Sequence, residues 1–328
     1  MSLLIHKQGL LDTIQDTGRY GYQHLGINTG GAMDTIAMKI SNALVGNSLE
    51  EPVLEMHFPA AEIVFEEAVL MALCGADFTA EINGEALPVL HPVMIQKGSV
   101  LKFKKNVTGA RVYLAVSGGY ISSEWLNSNS TNLTVKAGGF EGRPLQKNDR
   151  LLLTRNAFDT FLFKDASFIP LPWSPNFSGF YTNHTFQFIP GAEYHYLNSV
   201  SAKRFENNYF TILLQSNRMG YRLKGENLEL QNHKEMISSA VTKGTIQLLP
   251  DGQLIILLAD HQTTGGYPRI GHVISSHIAS LAQMRAGEKI DFRQTTLPDA
   301  EEQLFKQQRD LQLLQNACTF RLQSYFKN

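Results

Sequence analysis

Two polar, glycine-rich stretches carry most of the side chains in this sequence that could perform chemistry. The first covers residues 9–34 and places aspartate, arginine, tyrosine, glutamine and histidine between its glycines, and the second covers residues 259–271. Glycine permits positive φ angles and a close approach of the backbone to a ligand. Ordered loops held by a scaffold are common locations for binding and catalytic residues. We therefore predict that the two stretches close on one cleft.

The charged candidates are three arginines and two aspartates. Arg19, Arg218 and Arg269 could each bind a carboxylate or a phosphate through two parallel hydrogen bonds. The alternative for each is a structural brace that binds backbone carbonyls. This is favoured for any single arginine, whereas we expect at least one of the three to contact substrate. Asp16 and Asp34 are candidate acid–base or orienting carboxylates, although for Asp34 a helix cap is the favoured interpretation.

The neutral candidates are tyrosines and the amide and hydroxyl groups of the second stretch. Tyr22 and Tyr267 could donate to an oxyanion or stack on a ring, and either could equally be a core tyrosine. Gln262, Thr263 and Thr264 suit an amide or ureido group, with a hydrogen-bonded turn as an equal alternative. The predicted catalytic residues are Asp16, Arg19, Tyr22 and Asp34, and the predicted substrate-binding residues are Arg218, Gln262, Thr263, Tyr267 and Arg269.

The composition is that of an ordinary globular protein. Of the 328 residues, 43% are hydrophobic and 18% are charged, and the formal net charge is −1. This charge gives no support to nucleic acid or an anionic membrane as a partner, and no apolar run approaches the length of a membrane span. The first residues lack the layout of a signal peptide, and the two cysteines show no metal or redox spacing. We expect reduced thiols and a cytoplasmic location.

Motifs for metals and nucleotides are missing from the sequence. The histidines do not combine with cysteines or carboxylates at ligand spacing, so we predict no metal on this chain. Neither a Walker-type phosphate loop nor a Gly-x-Ser-x-Gly elbow occurs. Residues 37–40, Ala-Met-Lys-Ile, mimic a biotin acceptor sequence. Because they fall on a predicted helix, we interpret Lys39 as a solvated helix residue.

The elements that must position these side chains include few helices. Asp34 is placed to cap a short helix that ends before Gly46. A second short helix is predicted at about 276–285, and an amphipathic helix is predicted from residue 299 to about 318. Strands are predicted before both polar stretches, at Leu3–Lys7 and Leu254–Ala259. Each stretch therefore follows a predicted strand and leads into a predicted short helix.

The rest of the sequence is typical of β structure. Short apolar or alternating runs are joined by hairpin signals at Asn83-Gly84 and Asp251-Gly252. Such turns in both halves favour two antiparallel β-barrels, which remove open sheet edges. A proline-rich crossing at about 156–182 separates the halves, so we predict an N-terminal barrel domain at 1–160 and a C-terminal barrel domain with the terminal helix at 161–328.

Five motifs identify a family that the chain resembles over nearly its whole length. They are Gln15-Asp-Thr-Gly-Arg-Tyr-Gly-Tyr22, Gly31-Ala-Met-Asp34, Cys74-Gly-Ala-Asp77, Arg218-Met-Gly-Tyr-Arg222 and Asp260-His-Gln-Thr-Thr-Gly-Gly-Tyr-Pro-Arg269. The chain resembles the C-type subunit of the bacterial ATP-dependent 5-oxoprolinases. This family is also described as allophanate hydrolase subunit 2 or as the biotin-dependent carboxyltransferase family. One branch of it is described as an antagonist of a kinase inhibitor.

The resemblance implies a fold, a reaction and partners. The fold is mostly β, with two cyclophilin-like antiparallel barrels. The reaction is ATP-dependent opening of 5-oxoproline to L-glutamate, in a complex with a kinase-inhibitor-like B-type subunit and a third, lactam-utilisation subunit. ATP, with any Mg²⁺ that accompanies it, belongs to the complex, where phosphorylation of the amide oxygen would make the ring carbonyl electrophilic, and no biotin is attached to this chain.

Two alternatives stay open. One is a carboxyltransferase component that acts on urea or another amide, with biotin on a separate chain. The other is a non-enzymatic regulator that binds a kinase inhibitor. Three departures from the usual family motifs bear on the substrate: Asn129 replaces an arginine, Asn217 an aspartate and Ser239 a glutamate.

Overall fold

The computed structural model describes residues 2–154, 163, 165–176, 181–231 and 236–327. Within these ranges the chain forms 21 strands and four α-helices, which confirms the predicted mostly β fold. Part of the predicted crossing, at 156–162, 164 and 177–180, lies outside the described residues. None of the described helices is long and apolar enough to cross a membrane.

Contacts divide the chain into two compact units. The first unit comprises Met1–Gly18, Asp34–Phe177 and Arg309–Asn328, and the second comprises Arg19–Met33 and Ser178–Gln308. The first polar stretch is thus shared, with Asp16 and Asp34 in the first unit and Arg19 and Tyr22 in the second. The division of the sequence at residue 160 stays a prediction.

The first unit holds one helix and twelve strands among its described residues up to Pro170. The helix α1 is Thr35–Leu44, and the strands β1 to β12 are Ser2–Lys7, Thr13–Gln15, Val53–His57, Glu62–Phe65, Val69–Asp77, Ala80–Ile82, Glu85–Ala86, Pro92–Ile95, Val100–Phe103, Thr108–Val116, Arg150–Leu152 and Phe168–Pro170. They form two six-stranded sheets in the orders β11-β1-β4-β9-β6-β7 and β12-β8-β5-β10-β3-β2. The pairings are antiparallel, and inward side chains such as Leu3 and Ile5 build one apolar core.

Local signals in the sequence determine α1 and the first hairpin. Asp34 accepts hydrogen bonds from the Ile36 and Ala37 amides at 3.0 and 2.8 Å, and these contacts satisfy N–H groups of the first helical turn. Asn83 and Gly84 have φ angles of 52° and 92°, as a two-residue hairpin turn requires, and they join β6 to β7. The predicted helix cap and the predicted hairpin are both confirmed.

The second unit is built around a closed barrel. Its helices α2 and α3 are Ser199–Asn207 and Ile278–Ala282, and its strands β13 to β21 are Thr185–Pro190, Phe210–Ile212, Gly220–Lys224, Ser239–Ala240, Thr245–Leu248, Leu254–Leu257, Thr264–Gly265, Arg269–Val273 and Lys289–Gln294. Three single-turn helices complete the described elements at Gln23–Leu25, Tyr194–Tyr196 and Ser275–His277.

Seven strands close the barrel in the order β13-β20-β17-β18-β15-β14-β21. The hairpin predicted at Asp251-Gly252 joins β17 to β18 and is confirmed. The closing pair, β13 and β21, is parallel rather than antiparallel. Inside, Phe205 stacks on Phe292 with ring centroids 4.8 Å apart. Strands β16 and β19 form a separate two-stranded sheet.

The C-terminal helix α4 runs over Leu297–Lys327, so the predicted helix is confirmed and is longer than expected at both ends. Its residues are divided between the two units after Gln308. Two residues of the predicted apolar stripe, Leu311 and Cys318, are buried in the first unit.

A buried carboxyl group anchors the turns around the start of the first polar stretch. Asp12 is 1% exposed and accepts hydrogen bonds from the Ala61 amide at 2.8 Å and from the His57 amide at 3.3 Å. Burial raises the pKa of Asp12 to about 7 against these hydrogen bonds, which favour the charged form. Its loss would leave the buried Ala61 amide without this acceptor and would remove the same acceptor from the half-buried His57 amide.

We expect Asp12→Ala to lower the free energy of unfolding by roughly 2 kcal/mol or more, since each orphaned amide costs about 1–3 kcal/mol. The folded pKa lies above the ordinary value of 3.8, so the native state binds the proton more tightly than the unfolded chain. The contribution of Asp12 to stability therefore falls as pH rises between these values. Urea unfolding of both proteins at about pH 5 and about pH 8 measures it. A difference that is independent of pH would contradict the assignment.

Candidate functional site

Both polar stretches meet in the second unit. Residues 19–33 belong to this unit together with residues 259–271. The Gly30 amide donates to the Ala259 carbonyl at 3.1 Å, so the backbones of the two stretches lie side by side. The predicted approach of the stretches is confirmed for residues 19–33, while a common cleft stays a prediction.

Arg218 ties the two stretches together. Its Nε donates to Asp260 Oδ2 at 2.8 Å and its Nη2 donates to Asp260 Oδ1 at 3.1 Å. The same Nη2 donates to the Gly31 carbonyl at 2.8 Å. The Arg218 side chain is 5% exposed and the Asp260 side chain 21% exposed, so the pair is largely withdrawn from water. Arg218 was predicted to bind substrate, but its guanidinium group donates hydrogen bonds to the Asp260 carboxylate and the Gly31 carbonyl of the chain itself.

Arg19 is the largest wholly buried side chain, at 1% exposure. Its backbone amide donates to the Thr29 carbonyl at 2.7 Å, which closes the loop. A Cβ atom on Gly30 would lie 2.9 Å from Arg19 Nη1 and 3.9 Å from Asp260 Oδ1. Gly30 also has a φ of 61°, a left-handed conformation that favours glycine, and a Cβ atom there would require the Arg19 guanidinium group to shift. Arg19 therefore lies at the place where the two stretches meet.

Lys243 and His261, which the sequence analysis did not select, also lie here. Lys243 Nζ donates to the Ala32 and Met33 carbonyls at 3.1 Å each. His261 is 1% exposed and its Nδ1 contacts the Gln262 carbonyl at 2.5 Å, which makes Nδ1 the protonated nitrogen. Burial and then Lys243 lower the pKa of His261 against the raising effect of the Gln262 carbonyl, so the ring is neutral at neutral pH. The position of His261 inside the Asp260–Arg269 motif was the signal that could have found it.

Arg269, at the end of the second stretch, pairs with Glu193. Its Nε and Nη2 donate to Glu193 Oε2 and Oε1 at 2.9 and 2.8 Å, and the Arg269 amide donates to Oε2 at 2.9 Å. Arg269 holds the pKa of Glu193 below its usual range. This arrangement is that of the brace considered above. The predicted role of Arg269 in substrate binding stays a prediction, and its guanidinium group is already bound to the Glu193 carboxylate.

The middle of the second stretch is the exposed part of the site. Gln262 and Tyr267 are exposed, the latter by 44%, and Thr263 is half-buried. The Thr263 carbonyl accepts from the Val241 amide at 3.1 Å. Tyr267 lines a pocket of about 690 Å³ together with apolar and polar residues of the same unit: Asn227, Leu228, Glu229, Leu230, Met236, Leu248, Leu249, Pro250, Asp251, Gly252, Gly266 and Pro268. Tyr22, in the first stretch, is half-buried at the start of the single-turn helix.

Asp16 belongs to the first unit and organises another loop there. Its Oδ1 accepts from the Gly18 amide and from Ser128 Oγ at 2.7 Å each, and also from Ser130 Oγ. Its Oδ2 accepts from the Asn129 amide. Because both oxygens bind donors of the chain, the contacts of Asp16 are those of an orienting carboxylate. The predicted catalytic role is not tested by them.

A pocket of about 420 Å³ lies beside Asp16 in the first unit and includes Asn129 and Glu51 in its lining. The Asn129 amide group donates to Ser122 Oγ at 2.9 Å. Burial raises the pKa of Glu51. With asparagine at position 129 instead of the usual family arginine, the described lining residues of this pocket carry carboxylates and no cation.

Asp34, also in the first unit, is wholly buried as the cap of α1. Its amide donates to the Tyr113 hydroxyl at 2.8 Å, and that hydroxyl donates to Glu55 Oε2 at 2.8 Å. Burial, with Glu55 and Asp34 nearby, raises the pKa of Tyr113 far above its usual range. The contacts of Asp34 are those of the helix cap that the sequence favoured, and its predicted catalytic role stays a prediction.

Two arginine side chains beside the second stretch are already paired with carboxylates of the chain. Arg218 and Arg269 are bound to carboxylates of the chain, so the second stretch offers no preformed cluster of cations for phosphates. Across the described ranges, no group of three or more histidine, cysteine, aspartate or glutamate residues is placed to hold a metal ion.

We expect Arg269→Ala to lower the free energy of unfolding by about 1.5–3 kcal/mol, because Glu193 loses its charged partner while its side chain is 8% exposed. The matched control is Arg285→Ala, which removes the more exposed pair with Glu288 and should cost about 1 kcal/mol or less. Urea denaturation of the three proteins makes the comparison. Equal stability of both variants would show that Arg269 is not a brace.

Comparison with known proteins finds a matching family model and relatives that match this chain over most of its length. The model of the carboxyltransferase domain, subdomain A and B, matches residues 25–294. The C-type subunit of the Escherichia coli 5-oxoprolinase is 36% identical over 307 residues, which cover 94% of this chain and 96% of that protein. The corresponding subunit from Haemophilus influenzae is 35% identical over 288 residues, with 88% and 89% covered.

A solved structure shows the same fold. The urea amidolyase of K. lactis superposes with a TM-score of 0.85 at 22% identity, over 95% of this chain and 20% of that chain. The resemblance found in the sequence motifs is confirmed by the family model and by the two relatives. The chain belongs to the family of the carboxyltransferase domain, subdomain A and B, and is related over most of its length to the C-type subunits of two 5-oxoprolinases.

Proposed function

We propose that this chain is the C-type subunit of an ATP-dependent 5-oxoprolinase, which opens 5-oxoproline to L-glutamate together with a B-type partner subunit. The observation that carries the proposal is 36% identity to the Escherichia coli protein of that name over 96% of its length. The Haemophilus influenzae relative is matched over 89% of its length. The similarity on which the proposal rests therefore extends over most of both relatives.

The chemistry of the second unit supports a cyclic amide as the substrate. A lactam acid needs hydrogen-bond donors for its amide oxygen, an acceptor for its N–H and a positive charge near its carboxylate. The second stretch presents the exposed Gln262 and Tyr267 and the half-buried Thr263. Lys243 and Arg19 bring positive charge to residues 19–33. Arg218 and Arg269 act in this proposal as positioning residues for the two stretches.

The partner and ATP are part of the proposal at the level of the complex. Hydrolysis of an unactivated lactam is difficult, and coupling to ATP makes the reaction feasible. Because Arg218 and Arg269 are occupied by carboxylates, the proposal gives the binding of ATP to the assembled complex and leaves open which subunit holds it. A B-type subunit, and a third subunit for lactam utilisation, complete the proposed enzyme.

We expect the purified chain to show no turnover by itself and the reconstituted complex to release ADP only when 5-oxoproline is present. The chain is expressed alone, then with its B-type subunit, then with both further subunits. ADP and glutamate are measured in parallel, and they should appear in equal amounts. ATP-dependent turnover by the single chain, or a complete complex that forms no glutamate, would contradict the proposal.

Glycine substitutions test whether the meeting point of the two stretches matters for turnover. We expect Gly30→Ala to reduce kcat of the complex strongly, since its Cβ would lie 2.9 Å from Arg19 Nη1. Gly26→Ala is the matched control, because Gly26 also has a left-handed φ, of 78°, and no atom within 4 Å of its Cβ position. Both variants carry about 1–2 kcal/mol of backbone strain. Equal kcat per folded molecule would remove Arg19 and Gly30 from the site.

A second candidate function is transfer of a carboxyl group to urea or another amide, with biotin on a separate chain. The matching family model, that of a carboxyltransferase domain, favours it. The low share of the urea amidolyase covered by this chain, 20%, makes it the weaker proposal. Urea-dependent consumption of carboxybiotin, measured with the same complex, separates it from ring opening. A regulator that binds a kinase inhibitor would show neither activity.

A further inference from the structure

One buried side chain of the second unit lacks the hydrogen bonds that burial normally demands. Gln247, in β17, is 0% exposed, and among the described residues neither its Nε2 nor its Oε1 has a hydrogen-bond partner. Its backbone lies in the barrel wall, opposite Ile255 of β18 and Arg269 of β20. Buried polar groups are almost always paired, because an unpaired amide loses its hydrogen bonds to water without compensation. An apolar residue of the same size would avoid this cost.

The Gln247 amide lies directly against the second polar stretch. A Cβ atom on Gly265 would lie 2.5 Å from Gln247 Nε2, so a side chain at position 265 would collide with the amide. Gly265 belongs to β19, which pairs with β16 through only two residue pairs, Ser239 with Gly265 and Ala240 with Thr264. A short two-stranded sheet of this kind is held by few hydrogen bonds, and at position 265 it presents no side chain to the amide.

A pocket adjoins this place. The pocket of about 690 Å³ is lined by Leu248 and Gly266, the residues that directly follow Gln247 and Gly265 in the sequence. Tyr267 and Pro268 also contribute to its lining. Gln247 and Gly265 are not among the described lining residues, so a molecule in this pocket would reach the Gln247 amide only after β19 is displaced.

The chemistry of the amide indicates the ligand. A carboxamide presents an acceptor and a donor side by side, in one plane. A cis-amide, as found in a lactam ring, presents the complementary donor and acceptor side by side, so the two groups can form a pair of parallel hydrogen bonds. A carboxylate or a phosphate offers acceptors only and leaves Oε1 unsatisfied.

We propose that Gln247 recognises the cis-amide group of the substrate, with Nε2 donating to its carbonyl oxygen and Oε1 accepting from its N–H, when β19 moves away from the amide. The identity of the reaction rests on the proposed function, whereas the recognition of a cis-amide can be tested separately by binding. Gly265 permits this recognition because it has no side chain. After β19 is displaced, nothing at position 265 blocks access of the substrate to the Gln247 amide. In this role Gln247 lowers the stability of the ligand-free protein and supplies recognition.

The test compares Gln247→Leu with Gln253→Leu. Gln253, in the same unit, has a satisfied amide whose Oε1 accepts from the Gly225 amide at 3.0 Å. We expect Gln247→Leu to raise the melting temperature of the complex, because it removes an unpaired buried amide, and Gln253→Leu to lower it. A fall in melting temperature for Gln247→Leu as large as that for Gln253→Leu would overturn the proposal, since it would show a structural role.

Binding is measured by calorimetry with three probes: 5-oxoproline, 2-pyrrolidone, which keeps the lactam and lacks the carboxylate, and proline, which keeps the ring and the carboxylate and lacks the amide. The wild-type complex should bind the two lactams and not proline, and Gln247→Leu should bind each lactam about tenfold or more weakly. Equal binding by both proteins, or no binding of either lactam to the wild type, would overturn the proposal. If 2-pyrrolidone binds in a Gln247-dependent way while 5-oxoproline is not turned over, the proposed function fails and the recognition of cis-amides stands.

Discussion

The buried pair of Arg218 and Asp260 is the interaction on which the arrangement of the second unit depends. It joins a strand end of the barrel, the start of the second polar stretch and, through the Gly31 carbonyl, the first stretch. Removing one partner of a buried ion pair typically costs about 3–5 kcal/mol, because the other charge is left without compensation. Breaking this pair would therefore remove one of the contacts that hold the two stretches, beside the Gly30–Ala259 backbone bond and the hydrogen bonds of Lys243.

The ion pairs of Arg218 and Arg269 determine which side chains of the site are not already bound to other groups of the chain. Arg218 and Arg269 satisfy carboxylates of the chain, so the groups that face outward from the second stretch are mainly neutral: an amide, hydroxyls and backbone N–H groups. Neutral donors and acceptors discriminate well between amides and poorly between anions. This composition is the basis for proposing a cyclic amide as the substrate, with ATP bound at the level of the complex. The fixed arginines and the neutral rim are thus parts of one arrangement.

Local features of the sequence predicted most of the fold. They could not predict the hydrogen-bond and ion-pair partners of the site residues. The cap at Asp34 and the turns at Asn83-Gly84 and Asp251-Gly252 involve neighbours in sequence, so residue type alone indicates them. In contrast, Glu193 lies 76 residues from Arg269, and nothing local to either residue reveals the pair. The residues that pair between β13 and β21 lie still farther apart in the sequence. The division of the first stretch after Gly18 also depends on tertiary contacts.

Gln247 shows why some site residues cannot be predicted from the pattern of apolar and polar residues along a strand. Along β17 the alternation of Ile246 and Gln247 indicates an inward apolar and an outward polar residue, and in an isolated barrel Gln247 would face water. The pairing of β16 with β19 buries it instead, so the local pattern and the tertiary environment disagree. Such conflicts persist where function compensates for their cost in stability. The mismatch between a strand pattern and its burial therefore locates a recognition group that residue type and spacing left unmarked.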